Sequence, residues 1–428
     1  MFQKVILLCL LVPFAVAQES PRLPEAIPAP RLRLEDVLRE VLSSNPALAR
    51  SSTLVAAQRA HVSQTGVLPD PTVTVSWMGD PVPFKVQDND PSSYRGLSVM
   101  QMLPLGGKRA LQREVARKDV AVEEVSESAT RRSLLSEARA AFFDYAYYER
   151  ALQITARNHQ RLSQLAEITE SRYRLGKAMQ QDVLRARLEI SMLMQRTAAL
   201  EQQRLTSAAR LNTLMGRAAS SPLPSADDQP ASTLPTAEVL APLAESNDLM
   251  LAREARMTDR ERSALALTRK DSTPDLSVGY MYQQRTGLPD MHGMQFTVSL
   301  PSFHRDRLQQ EIAEGQLRIR AGEEGQRARK LEVGYELQQA RSAAITAKQM
   351  LDLYDQAVLP QAELARDSAQ ASYTVGNVDF LTVVTSYTAL LSYELDYQRQ
   401  RADYEMAIAR IYALTGDLDA PVAQEAHP

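Results

Sequence analysis

Apolar positions recur along this chain with two different periods. In "DLSVGYMY", Leu276, Val278, Tyr280 and Tyr282 alternate with Ser277, Gly279 and Met281; in "MQFTVSL", Phe296, Val298 and Leu300 alternate with Gln295, Thr297 and Ser299. A period of two with one apolar face predicts strands. "TVTVSWM" from Thr72 and "LSVMQMLP" from Leu97 read the same way, giving four strands of roughly six to eight residues. Elsewhere the period is helical. Val183, Ala186, Ile190, Leu193, Thr197 and Leu200 keep a helical spacing, and so do Val383, Ser386, Leu390, Tyr393, Tyr397 and Gln400, a seam of the kind that packs helix on helix. From Pro104 to Pro222 no other proline occurs, and the only glycines are Gly106, Gly107, Gly176 and Gly216. That stretch predicts one helix over Lys108–Leu175, roughly 100 Å long at ~1.5 Å per residue, and a second over Gln180–Met215. A long helix over Asp306–Val375, which Pro360 is expected to kink, and one over Phe380–Leu414 repeat the arrangement.

The duplication reaches down to the letters. "SRYRLGKAMQQDVLRAR" begins at Ser171 and "ASYTVGNVDFLTVVTSY" at Ala371; each contains Tyr-x-x-Gly, and each glycine is followed 40 residues later by a second glycine, closing "LMG" at Gly216 and "LTG" at Gly416. Seven of the 46 positions from Ser171 to Gly216 are identical to those 200 later, without a gap. Upstream, "LEDVLREVLSSNP" at Leu34 matches "TAEVLAPLAESND" at Thr236, and "LPDPTVTVSWM" at Leu68 matches "TPDLSVGYMY" at Thr273. "LSVMQMLP" at Leu97 likewise matches "FTVSLP" at Phe296. These are parallel structural repeats. The expected division is a first repeat over 18–217, a Pro/Ser/Asp-rich linker over 218–235, a second repeat over 236–416 and a tail over 417–428. Helices this long hold little core of their own, so their seams require neighbouring copies.

The first 17 residues stand apart. Lys4 precedes an apolar run from Val5 to Val12, and Ala15-Val16-Ala17 offers small residues for cleavage, the pattern of a secretory signal peptide. The run is too short to span a bilayer. Cys9, the only cysteine, lies inside that segment, which leaves the mature chain without disulfides or thiolate chemistry. Loss of Lys4 takes the formal net charge from −3 to −4, with both signs mixed, and no basic face marks a nucleic-acid partner. In an exported chain, four short strands with exposed edges find closure in a membrane barrel, which removes every edge. Closure needs several chains, and three would supply twelve strands. The alternative is a small β-layer packed on a helical bundle.

With these pieces in place the chain resembles the TolC-like family of bacterial outer-membrane efflux proteins over essentially its whole mature length. The resemblance is carried by the paired Tyr-x-x-Gly turns, by "LMG" and "LTG", and by the two Pro-Asp strand starts. It implies a mainly α fold with a small β part: duplicated long-helix hairpins forming a trimeric periplasmic α-barrel, continuous with a twelve-stranded outer-membrane β-barrel. It implies docking to a periplasmic adaptor and an inner-membrane pump. "LPDPTVTVSWMGDPVP" and "QMLPLGGKRALQREVA" are similar to the subgroup that serves heavy-metal cation pumps. On this reading Tyr173, Gly176, Tyr373 and Gly376 mark the periplasmic tip turns used in docking. The family places an acidic constriction six and nine residues after the final turn glycine, where this chain has Thr382 and Thr385; Asp182 and Asp379 are the acidic candidates left near the tip.

Other chemistry is thin. "LGGKR" at Leu105 lacks the earlier glycine of a phosphate loop, since position 102 is methionine. His61, His159, His292, His304 and His427 are scattered. "MHGM" puts Met291, His292 and Met294 together in an expected loop, a donor set that suits Cu(I) but reads first as a loop accident. "FFDYAYY" at Phe142 covers too many helix faces for a binding stripe and reads as packing. No Gly-x-Ser-x-Gly or His-Glu-x-x-His is present. The sequence therefore points to a passive exit duct without cofactors or catalysis; the competing function is a periplasmic coiled-coil or adaptor-like protein that never enters the membrane.

Overall fold

Two runs of the same elements follow one another along the chain. The computed structural model describes residues 31–80, 85–229, 231–300 and 305–416; the expected signal segment 1–17 with Cys9, residue His304, and the tail at 417–428 with His427 lie outside them. The first run is α1 (Leu34–Ser44), α2 (Pro46–Gln64), β1 (Thr72–Met78), β2 (Tyr94–Leu103), α3 (Lys108–Arg174) and α4 (Gln180–Leu214). The second is α5 (Ala237–Asn247), α6 (Leu249–Lys270), β3 (Asp275–Gln284), β4 (Met291–Ser299), α7 (Arg305–Leu353), α8 (Leu359–Val375) and α9 (Phe380–Thr415).

Between α7 and α8 lies one turn of π-helix, Tyr354–Val358. Pro360 has no N–H to give and its ring would press on the preceding turn. The expected kink is thus taken up as a widened turn, in which Leu359 N–H bonds back to the Tyr354 carbonyl.

The strands form one antiparallel sheet in the order β1-β2-β3-β4. β1 has seven residues, within the six to eight expected, while β2, β3 and β4 run nine to ten. The difference is largest at β4, which begins at Met291 and not at Phe296. Its first residues, Met291, His292 and Gly293, carry no apolar alternation. The pairing of Met281 with Gly293 and of Tyr282 with His292 extends the ladder regardless, so backbone bonding outruns the side-chain pattern.

The helices build a layer. α3 packs on α1, α2, α4, α6 and α9, while α7 packs on α5, α6 and α9. Three apolar clusters hold them. Val37, Leu38 and Val41 of α1 meet Leu135, Phe142 and Leu211. Nearer the hairpin ends, Ile154 and Leu165 of α3 meet Leu193 of α4 and Phe380, Val383 and Leu391 of α9. Leu240 of α5, Leu337 and Ala344 of α7, and Ile408 and Ile411 of α9 make the third. The chain therefore owns more core than long single helices suggest. In α9 the buried seam passes through Leu391 and Leu395, leaving the expected Tyr393 exposed. That shift follows from α9 facing α3, α7 and α8 together, which needs a wider apolar stripe than a two-helix seam. In the aromatic run, Phe142 and Tyr145 are fully buried packing residues. Burial, with Glu149 beside it, pushes the Tyr145 hydroxyl up to about 12.

Candidate pore surfaces and hairpin tips

The sheet has two unlike faces. The register puts Val73, Val75, Leu97, Val99, Val278, Tyr280, Phe296 and Val298 on one side. Much of this surface is open, with Val75 80% and Phe296 65% exposed. Trp77, Tyr280 and Tyr282 stand on it toward the β3–β4 turn end. The other side carries Thr72, Thr74, Ser76, Ser98, Ser277, Gln295 and Thr297. An apolar band with aromatics toward one end, opposite a polar face, is the dyad pattern of a membrane β-strand. Among the described residues no helix is long and apolar enough to cross a membrane.

The Met291-His292-Met294 group does not sit in a loop. Strand alternation sends Met291 to the polar face and His292 with Met294 to the apolar one. A 2.6 Å hydrogen bond joins His292 Nδ1 to the Tyr280 hydroxyl, and the Tyr282 ring lies 5.3 Å away. Among the described residues no three His, Cys, Asp or Glu side chains gather for a metal.

At the opposite end of the molecule the two hairpins turn on glycine. Gly176 (φ 69°) and Gly376 (φ 88°) adopt the left-handed conformation. Gly176 N–H bonds the Tyr173 carbonyl and Lys177 N–H the Arg172 carbonyl; Gly376 and Asn377 repeat this on Tyr373 and Ser372. These paired bonds close the last helical turn in the Schellman manner. The two tyrosines of the repeat then diverge. Tyr173 is 43% exposed and Tyr373 only 4%. Tyr373 packs edge-on against Phe380, with ring centroids 5.7 Å apart, and its hydroxyl donates to Thr169 at 3.4 Å. Arg172 of the first hairpin lies 4.8 Å above the Tyr373 ring and donates to the Thr374 carbonyl at 2.7 Å. The tips are thereby tied to each other within one chain, through an arginine that no sequence motif singles out.

The acidic candidates at the tips serve the backbone. Asp182 accepts from Met179 N–H at 3.1 Å at the start of α4. Asp379 is the N-cap of α9 and accepts from both the N–H and the hydroxyl of Thr382. Those bonds, the hydroxyl first, hold its carboxyl below the usual aspartate range. Thr385, exposed on α9, turns its hydroxyl to the Leu381 carbonyl at 2.8 Å. Glu170, bonded by Arg174 at 2.7 Å and by Arg187 at 3.4 Å, is also held low.

Comparison with known proteins agrees with this architecture. Residues 37–217 match the family described as "Outer membrane efflux protein". The chain is 22% identical over 397 residues to the cobalt-zinc-cadmium resistance protein CzcC of Cupriavidus metallidurans, covering 90% of this chain and 91% of that protein. Its fold is that of the Campylobacter jejuni CmeC outer membrane channel, with TM-score 0.77 at 13% identity, covering 92% of this chain and 89% of that one. The open state of the Neisseria gonorrhoeae MtrE outer membrane channel gives TM-score 0.73 at 16% identity, covering 90% and 89%. Residues 37–217 thus match the outer membrane efflux protein family, and the fold of the whole chain is the one shared by these solved outer membrane channels.

Proposed function

We propose that this chain is the outer-membrane exit duct of a tripartite efflux system, a homotrimer that passively conducts substrate received from an inner-membrane pump and a periplasmic adaptor. One observation carries the reading: every contact between the two repeats has a counterpart that a single chain leaves unmade. β2 pairs with β3, yet β4 and β1 are open edges. α3 packs on α6 and α9, yet the outer flanks of α7 and α4 have no repeat beside them. Those flanks expose Leu331 and Tyr335 on α7 and Leu184, Leu188 and Met192 on α4. A second copy placed by the same step would cover α7 with its α2 and α4 and pair its β1 with β4. Such a head-to-tail contact closes into a ring when its rotation divides a full turn, and the proposed step is one third of a turn.

Three copies give a twelve-stranded barrel with the apolar face in lipid, continued by a helical tunnel into the periplasm. The tip turns at Tyr173, Gly176, Tyr373 and Gly376 face the adaptor. The likeness to a cobalt-zinc-cadmium resistance protein favours heavy-metal cations as cargo. A coiled-coil protein that stays out of the membrane would leave the apolar band of the sheet in water, where large exposed patches are a liability. The test is light scattering of the detergent-solubilised protein, corrected for bound detergent, together with conductance in planar bilayers. A trimer that conducts is expected; a monomer, or a trimer that never inserts, sinks the proposal. Leu188→Glu should weaken assembly by placing a charge in the seam.

A further inference from the structure

We infer that the polar face of the sheet is a relay of thioether sites for a soft monovalent cation, Cu(I) or Ag(I). The inference rests on the proposed barrel, in which that face lines the lumen. The register places a methionine at each of four successive levels of the face. Met102 stands opposite Ser277, Met100 opposite Gly279, Met281 opposite both Ser98 and Gly293, and Met291 opposite Gln283. The track climbs diagonally from the helix end of β2, across β3, to the turn end of β4. Met78 stands at the same turn end of β1, paired with Tyr94.

Ordinary packing does not account for the choice of residue. No Leu, Ile, Val or Phe of the four strands falls on this face, while the opposite face carries Val, Leu and Phe at most of its positions. Bulk alone would admit any of them. What methionine adds is a polarizable sulfur on a side chain with three rotatable bonds. Successive same-face residues lie roughly 7 Å apart along a strand, and diagonal neighbours about 7–8 Å, within joint reach of two such side chains. Glycine opens the gaps between them. A Cβ on Gly293 would come 3.0 Å from Met281 Cγ and 3.4 Å from its sulfur, so this thioether lies over the glycine, toward β4.

The remaining donors on the face are neutral hydroxyls and amides. The one carboxylate, Asp275, stands at the base and is paired with Lys108 at 3.0 Å. Hard divalent ions therefore meet no anionic site there, whereas thioethers select Cu(I)-like ions. Several weak sites in sequence let an ion enter and still leave, as conduction requires.

The experiment uses purified full-length protein and silver nitrate as a redox-stable probe, with Ag(I) retention measured by equilibrium dialysis and metal analysis. The wild type is compared with a variant carrying Met100→Leu, Met102→Leu, Met281→Leu and Met291→Leu, swaps that nearly conserve volume. Met250→Leu with Met257→Leu, both exposed on α6, is the control for unrelated thioethers. The expected result is potassium conductance unchanged in all three, Ag(I) affinity weakened about tenfold or more only in the fourfold variant, and Zn(II) retention unaffected. If the fourfold variant does not assemble, Met281→Leu alone is read in the same way. Equal Ag(I) retention in conducting wild type and variant overturns the relay and leaves the duct standing. Absence of conductance in the wild type removes the duct, and the relay with it.

Discussion

Asn45 Nδ2 donates to the Leu214 carbonyl at 2.7 Å, and Asn247 Nδ2 donates to the Thr415 carbonyl at the same distance. Each repeat thus ends its last helix against the corner of its own first two. The closing glycines of "LMG" and "LTG" belong to this corner: a Cβ on Gly216 would stand 2.5 Å from the Ser44 carbonyl oxygen. In the first repeat Asn45 also caps α2, accepting from Ala47 N–H; in the second, Asp248 caps α6 through Leu251 N–H. Asn45 is buried, and its replacement by alanine strands a carbonyl away from water. Asn45→Ala and Asn247→Ala should each cost about 1–3 kcal/mol, read as a lowered urea midpoint at unchanged slope. An unshifted midpoint in both would mean that these bonds are incidental.

At the tips, Gly176→Val and Gly376→Val force a β-branched residue into the left-handed region, at roughly 1–2 kcal/mol of strain. Nothing lies within 4 Å of a Cβ on Gly176, and only Arg172 lies near one on Gly376. The damage should therefore stay in the turn. Efflux, followed as metal tolerance of cells, should fall further than the amount of protein in the outer membrane. Equal losses in both would confine the turns to a folding role.

Protonation of Asp379 offers a test of the second hairpin alone. Its carboxyl is held below the usual range by Thr382, so the bonded form is the charged one. The cap is fully present above the ordinary aspartate pKa, about 4, and is lost as pH falls through the lowered value. Hydrogen exchange of the first turn of α9, corrected for intrinsic rates, should accelerate only in that acid window. Asp379→Asn keeps an acceptor without the charge and should flatten the dependence. A transition near neutral pH would point to a different group.

How far the sequence reaches is set by the range of the signal. Glycine and proline spacing places the ends of α3, α4, α8 and α9 within a residue or so, because caps and turns are local events. The 200-residue offset makes the duplication visible for the same reason. The upper part of β4 is silent, since Met291, His292 and Gly293 show no alternation and are recruited by pairing with β3. Non-local contacts are silent too. Arg172 is one basic residue among several until α8 is brought beside it, and nothing local separates the buried Tyr373 from the exposed Tyr173. The methionines of the polar face become a series only through the register across β2, β3 and β4.

The final prediction concerns the mouth. Three aspartates facing one axis would repel one another and bind multivalent cations; Thr382 and Thr385 carry no charge where such a ring would lie. The nearby carboxylates are engaged, Asp182 with Met179 N–H and Asp379 with Thr382. Closure should then rest on contacts between hairpins of the kind Arg172 makes with Thr374 and Tyr373. Block of single-channel current by a trivalent cation from the periplasmic side should accordingly be weak. Thr385→Asp should create it, because that side chain is exposed and its hydroxyl bonds only within its own helix. Thr382→Asp is the poorer probe alone, since it removes a donor from Asp379 and sets a like charge beside it. Strong block of the unmodified channel would show that an acidic ring already exists, with Asp379 the first residue to replace.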